Sequence, residues 1–165
     1  MLEKITKRRF SSRQRDLSQE PVKYLFIDGV HFQVPVERSI EIVPVLAAVG
    51  VTQTGQKLVL SLQAGDKELA TSWREFFREF KARNLDSGKV TLGMMDGLTG
   101  LETFFREEFP KARAQCCQVH VARNVLAKVP KKFKQDLAND QRAIFYASSQ
   151  EKAGECFEGF RQRWQ

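Results

Sequence analysis

The run Tyr24-Leu25-Phe26-Ile27-Asp28-Gly29-Val30-His31-Phe32 is apolar, aromatic and β-branched around a single carboxylate, and the fold is read outward from it. Its composition is that of a buried strand. An acidic side chain at the end of such a strand costs desolvation energy unless a cation, a donor or water meets it. Asp28 therefore has two readings: it opens an Asp-Gly turn with Gly29, or it is a metal ligand. This segment alone leaves both open.

Upstream, residues 1–20 lack hydrophobic periodicity and are rich in Lys, Arg, Ser and Gln, the composition of a basic arm or truncated linker that Pro21 ends. Downstream, the chain is expected to turn near Gly29 and continue as a half-buried strand through Phe32, Val34 and Val36, with Pro35 placing this part on an edge. Ser39 to Val51 is β-branched and reads as a second strand. Thr52-Gln53-Thr54-Gly55-Gln56 turns it into a third, Lys57 to Gln63, with Leu58, Leu60 and Leu62 expected on one face. Leu69, Trp73, Phe76, Phe77 and Phe80 then recur at helical spacing, and their aromatic stripe is assigned to the core.

Val90 to Met95 is another short apolar strand that ends in Asp-Gly, at Asp96-Gly97. Thr99 and Glu102 form a capping box for a helix through Phe104, Phe105 and Phe109, which Pro110 ends. Ala112 to Val121 reads as a fifth strand carrying Cys117 and His120. Helices follow over Val121 to Val129 and Phe133 to Ala147, and a box of Ser148 and Glu151 opens the last one, through Phe160 and Trp164. The class is α/β: three antiparallel strands and two further strands in one mixed sheet, flanked by helices and ending in a helical segment.

A chain of 165 residues, 42% hydrophobic, suffices for one domain with a real core. No apolar run has the length of a membrane span and no leader is present, so a cytoplasmic location and no membrane partner are expected. Three cysteines, two of them adjacent at Cys116 and Cys117, make no disulfide framework. The net charge of +7 favours an anionic partner. Seven basic residues, among them Arg123, Lys128, Lys131 and Lys132, run without an acid between Phe109 and Asp136; they form a solvated face or a nucleic-acid surface.

If the fourth strand lies beside the first, Asp28 and Asp96 meet at one end of the sheet. Two carboxylates so placed repel each other and favour a divalent cation between them, and hard oxygen ligands suit Mg²⁺ or Mn²⁺. The motifs Tyr24 to Gly29, Ala48-Val49-Gly50-Val51 with Gly55, Trp73, Asp96-Gly97 with Gly100-Leu101, Cys117-Gln118-Val119-His120 with Arg123-Asn124, and the late Phe160 and Trp164 together resemble the Mutator-type transposases of bacterial insertion sequences. These belong to the group that uses an Asp, Asp, Glu triad on an RNase H-like fold. The resemblance covers about Arg15 to Trp164.

The resemblance implies that Asp28 and Asp96 are the first two catalytic aspartates and metal ligands, and that Cys117 and His120 are accessory residues. It implies metal-dependent cleavage and strand transfer of DNA, the transposon ends and target being the partners, in an oligomer associated with the nucleoid. It divides the chain into the arm at 1–20, a partial catalytic core at 21–147 and the start of a helical insertion at 148–165. In the family the catalytic glutamate follows that insertion, so the third carboxylate is expected beyond residue 165 and the chain is expected to be inactive alone. Glu151, Glu155, Glu158, Asp136 and Asp140 are the substitutes within the sequence.

The spacing Cys117-x-x-His120 could begin a zinc site, but zinc takes four ligands and only Cys116, Cys156 and His31 remain; no zinc is expected. On a strand, Cys117 and His120 would also face opposite ways. Arg123, Lys128, Lys131 and Lys132 are assigned to phosphate contact. Two other functions fit the same residues: a non-catalytic DNA-binding or dimerisation remnant, and a cellular nuclease of this fold.

Overall fold

The computed structural model describes residues 15–36, 39–64, 70–97 and 100–165. It divides into two compact units, the first ending at Cys116 and the second running Cys117–Gln165. The first unit holds β1 (Val22–Val36), β2 (Ser39–Thr52), β3 (Lys57–Ala64), α1 (Ala70–Ala82), β4 (Leu92–Met95), α2 (Leu101–Glu108) and β5 (Arg113–Cys116). The strands form one mixed sheet in the order β3-β2-β1-β4-β5. β1, β2 and β3 are antiparallel, whereas β4 runs parallel to β1 and β5 parallel to β4. This architecture agrees with the RNase H-like one that the resemblance implies.

No turn forms at Asp28-Gly29. β1 continues straight through it, pairing Asp28 with Ala47, Gly29 with Leu46 and Val30 with Val45. An Asp-Gly turn requires a left-handed glycine, and among the described residues only Gly55 and Gly100 are glycines with positive φ. The long ladder to β2 outweighs the local turn preference. Pro35 lies where β1 has lost β4 as a neighbour, because that pairing covers only Tyr24 to Ile27. Pro44 likewise sits just past Val45, the last β2 residue paired to β3. Both prolines thus avoid the doubly paired part of the sheet.

The expected single face of Leu58, Leu60 and Leu62 is broken by a β-bulge. Ala48 pairs with Ser61 and Val49 with Val59, so Leu60 is an extra residue and the alternation flips after it. Leu60 and Ser61 are both buried, and Leu62 faces out.

Trp73, Phe76, Phe77 and Phe80 of α1 are all buried, as their spacing predicts, and Leu69 lies outside the described residues. Phe77 packs edge-on against Phe105 and Phe109, whose rings stack at 4.9 Å. These contacts put α1 and α2 on one face of the sheet, over Leu25 and Ile27. Arg83, buried after the end of α1, donates to the Leu60 carbonyl at 2.7 Å, to the Arg15 carbonyl and to Glu79, tying helix, sheet and incoming chain together. Leu17, which composition assigns to the arm, is fully buried, and its N–H donates to the Arg83 carbonyl.

α2 follows Gly100, whose φ of 92° needs a glycine, and Thr99 of the expected capping box lies outside the described residues.

The second unit holds α3 (Gln118–Ala127), a 3₁₀ turn (Lys131–Phe133), α4 (Lys134–Phe145) and α5 (Gln150–Arg163). The fifth strand therefore does not reach Val121. It stops at Cys116, and Cys117 N-caps α3 in an extended conformation. Val119 and Val121 look like strand residues, yet both are exposed; the half-buried positions are Ala122, Val125 and Leu126, at helical spacing. The cap of α5 is Ser149, not Ser148: its hydroxyl accepts the Lys152 N–H at 3.2 Å. Glu151 lies one residue short of the capping-box position, where its own backbone N–H and the Ser149 hydroxyl hold its carboxyl below the usual range. α5 is fastened to α4 by Arg163, which pairs with Asp136 and Asp140, and by the Trp164 indole N–H on Asp140.

A Cβ on Gly93 would fall inside the Phe105 ring, which Phe77 and Phe109 hold in place. Gly93→Ala is expected to destabilise the protein by about 1–3 kcal/mol in urea unfolding. Adding Phe105→Leu should recover part of that loss, a non-additivity that an indirect effect of the alanine would not produce.

Candidate metal centre

Alternation along β1 places Leu25 and Ile27 in the core beneath the helices, and Phe26 and Asp28 on the opposite face. β4 joins in parallel register, Phe26 beside Met94 and Ile27 beside Met95. One residue further, that register sets Asp96, just past the end of β4, next to Asp28, which lies within β1. A carboxylate oxygen of each lies within 4.8 Å of the other, and both residues are half-buried. The recurrence of strand-Asp-Gly is thus a spatial pair, and β1 provides the first acid without ending there.

Two ionised carboxylates at this separation repel by roughly 1–3 kcal/mol, between the dielectric of water and that of a protein surface. A divalent cation bound by both reverses the sign. The pair offers only oxygen donors at one sheet edge, which fits a hard ion that keeps several waters, such as Mg²⁺ or Mn²⁺.

Beside Asp96 opens a cavity of about 310 Å³ lined by Met95, Gly97, Gly100, Glu102, Thr103, Arg106 and Cys116. Glu102 was read only as a capping residue and Cys116 only as a cysteine left over for zinc, and Thr103 and Arg106 were not singled out. Their signal is positional: they occupy the first turns of the helix after Asp96 and the end of the adjoining strand.

Cys117 is the N-cap of α3 and His120 its third residue, so the two lie three apart on one helical turn instead of on opposite faces of a strand. Arg123 is exposed on α3, Lys128 caps its end, and Lys131 and Lys132 form the exposed 3₁₀ turn. The acids considered as a third ligand are engaged within the second unit. Asp136 and Asp140 hold Arg163, Glu155 pairs with Lys152 at 2.7 Å, and Glu158 with Arg161 at 2.8 Å. Hydrogen bonds from Lys152 and Arg161 hold the Glu155 and Glu158 carboxyls below their ordinary range.

These features define an α/β protein in which two parallel strands bring a pair of aspartates together, one within β1 and one just past the end of β4. The family described as Transposase, Mutator family, matches residues 3–165, and the chain belongs to it. It is 32% identical over 139 residues to the transposase for insertion sequence element IS6120 of Mycolicibacterium smegmatis, covering 84% of this chain and 42% of that protein. It is 33% identical over 142 residues to the transposase for IS406 of Burkholderia multivorans, covering 86% of this chain and 36% of that one. A third relative, the transposase for IS905 of Lactococcus lactis, is 30% identical over 141 residues, covering 85% of this chain and 35% of its own. The chain thus spans less than half the length of these relatives.

Mn²⁺ at 100 times its dissociation constant should stabilise the wild-type chain by about 2.7 kcal/mol in thermal unfolding. Asp28→Asn and Asp96→Asn should each lose most of that gain. An equal Mn²⁺ response in all three proteins would contradict shared ligation.

Proposed function

We propose that this chain is the part of a transposase that carries the first two of three catalytic carboxylates, Asp28 and Asp96, and that the parent protein moves an insertion sequence by metal-dependent DNA cleavage and strand transfer. The observation that carries this reading is the apposition of the two aspartates, in a chain of the Mutator family. Its relatives are named as insertion-sequence transposases.

In this reading Asp28 and Asp96 hold Mg²⁺ or Mn²⁺, which when bound supplies charge stabilisation at the scissile phosphate. Water attacks the phosphorus at a transposon end and the bond to the 3′ oxygen breaks, releasing a 3′-hydroxyl. That hydroxyl then attacks a target phosphodiester and displaces its 3′ oxygen. Arg123, Lys128, Lys131 and Lys132 bind the backbone. The accessory roles of Cys117 and His120 rest on the family's Cys-x-x-His signature. Residues 21–147 serve as core and 148–165 as the opening of a helical insertion, and the basic arm assigned to 1–20 joins the core at Leu17. Among the described residues no helix is long and apolar enough to cross a membrane; the protein works on DNA in the cytoplasm, at the nucleoid, as a homo-oligomer.

The purified chain should bind a duplex carrying the ends of its insertion sequence, with log affinity falling against log salt by about 0.9 per phosphate contact. Replacing Arg123, Lys128, Lys131 and Lys132 together with alanine should reduce that slope by about 3–4. An unchanged slope would contradict their role. Mg²⁺-dependent nicking lost in Asp28→Asn would count against the non-catalytic remnant, and salt-sensitive binding without nicking would favour it. Nicking lost in Asp136→Asn or Glu155→Gln would point to a self-sufficient cellular nuclease.

A further inference from the structure

The cavity beside Asp96 has a composition that the metal pair does not explain. Its lining residues include two acids, Asp96 and Glu102, and a single cation, Arg106. Arg106 sits one helical turn after Glu102 on α2, and its Nε and one Nη2 N–H both donate to the same Glu102 oxygen, at 2.9 and 2.7 Å. A guanidinium has five N–H groups, so this contact uses two and leaves three. Both side chains are about half exposed, and an exposed pair of this kind contributes about 0–1 kcal/mol to stability. The pair is therefore cheap to rearrange. What it does achieve is orientation: Glu102 holds the planar fork of Arg106 at the wall of the cavity that Asp96 also lines.

One member of the acid pair, Asp96, at one side of a cavity and a guanidinium at another make a complementary environment for a phosphodiester beside a divalent ion. One non-bridging oxygen turns toward the metal side, and the other accepts N–H bonds from the part of the guanidinium that Glu102 leaves open.

We infer that Arg106 is a DNA-phosphate contact of the proposed site, presented by Glu102, and that the phosphodiester occupies the cavity between Asp96 and α2. This rests on the DNA-cleaving function proposed above and adds a residue that the basic segment beyond Phe109 does not contain. Cys116 lines the same cavity and carries an exposed free thiol, so it reports on occupancy.

The experiment uses the 165-residue chain, a labelled duplex and Mn²⁺, with affinity measured across a salt series and alkylation of Cys116 by iodoacetamide read by peptide mass spectrometry. DNA should protect Cys116 in the wild type. Arg106→Ala should lose that protection and lower the salt slope by about 0.9, one phosphate contact. Arg106→Lys should keep the slope but recover only part of the affinity, while Glu102→Gln should keep the slope and weaken protection. A wild-type slope with full protection in Arg106→Ala, alongside a reduced slope in Arg123→Ala, overturns this inference and leaves the proposed function standing. No salt-dependent binding by the wild type overturns both.

Discussion

The parallel pairing of Tyr24 to Ile27 with Leu92 to Met95 is the constraint on which the rest of the molecule depends. A parallel neighbour in register brings the residue after Met95 beside the residue after Ile27, so two Asp-Gly pairs far apart in sequence become neighbours. The pairing is short, and it is held from one side by Phe105 pressed onto Gly93 and by the aromatic cluster of α1 above it. A side chain larger than hydrogen at Gly93 would lift α2 off the strand whose end carries Asp96. Packing on one face thus fixes chemistry on the other, since Leu25 and Ile27 point into that cluster while Phe26 and Asp28 point away.

The second unit shows a different economy. Its acids neutralise its own cations or cap its own helices, and α5 is fastened to α4 through Arg163, Trp164, Asp136 and Asp140. Its exposed lysines from Lys128 to Lys132 have no such duty apart from the Lys132 ammonium over the Phe133 ring.

Much of this was legible in the sequence, for identifiable reasons. The aromatic stripe of α1 and the strand that ends before Asp96-Gly97 carry periodicity and chemistry together, and each was placed from residue types alone. Long-range pairing was not legible where it overrode local preference. Asp28-Gly29 looks like a turn because the ladder to Ala47 and Leu46 cannot be seen from the run itself. Leu62 was assigned to the same face as Leu58 and Leu60 because a bulge at Leu60 leaves no trace in an alternating leucine pattern. Cys117 to Val121 has the alternation of a strand, and only the half-buried spacing of Ala122, Val125 and Leu126 reveals the helix. Arg106 was silent because an arginine one turn from a glutamate reads as an ordinary surface pair until the cavity beside Asp96 gives it a neighbour.

The central claim, that Asp28 and Asp96 share one divalent ion, is most directly tested by replacing that ion with Fe²⁺ and generating hydroxyl radicals in the presence of ascorbate and peroxide. Radicals formed at a bound iron cut the backbone nearest to it, so mass spectrometry should find scission clustered at residues 27–29 and 95–97 in the same sample, abolished at both places by either Asp28→Asn or Asp96→Asn. Scission at only one of the two segments, or a pattern that survives either substitution, would contradict a shared site.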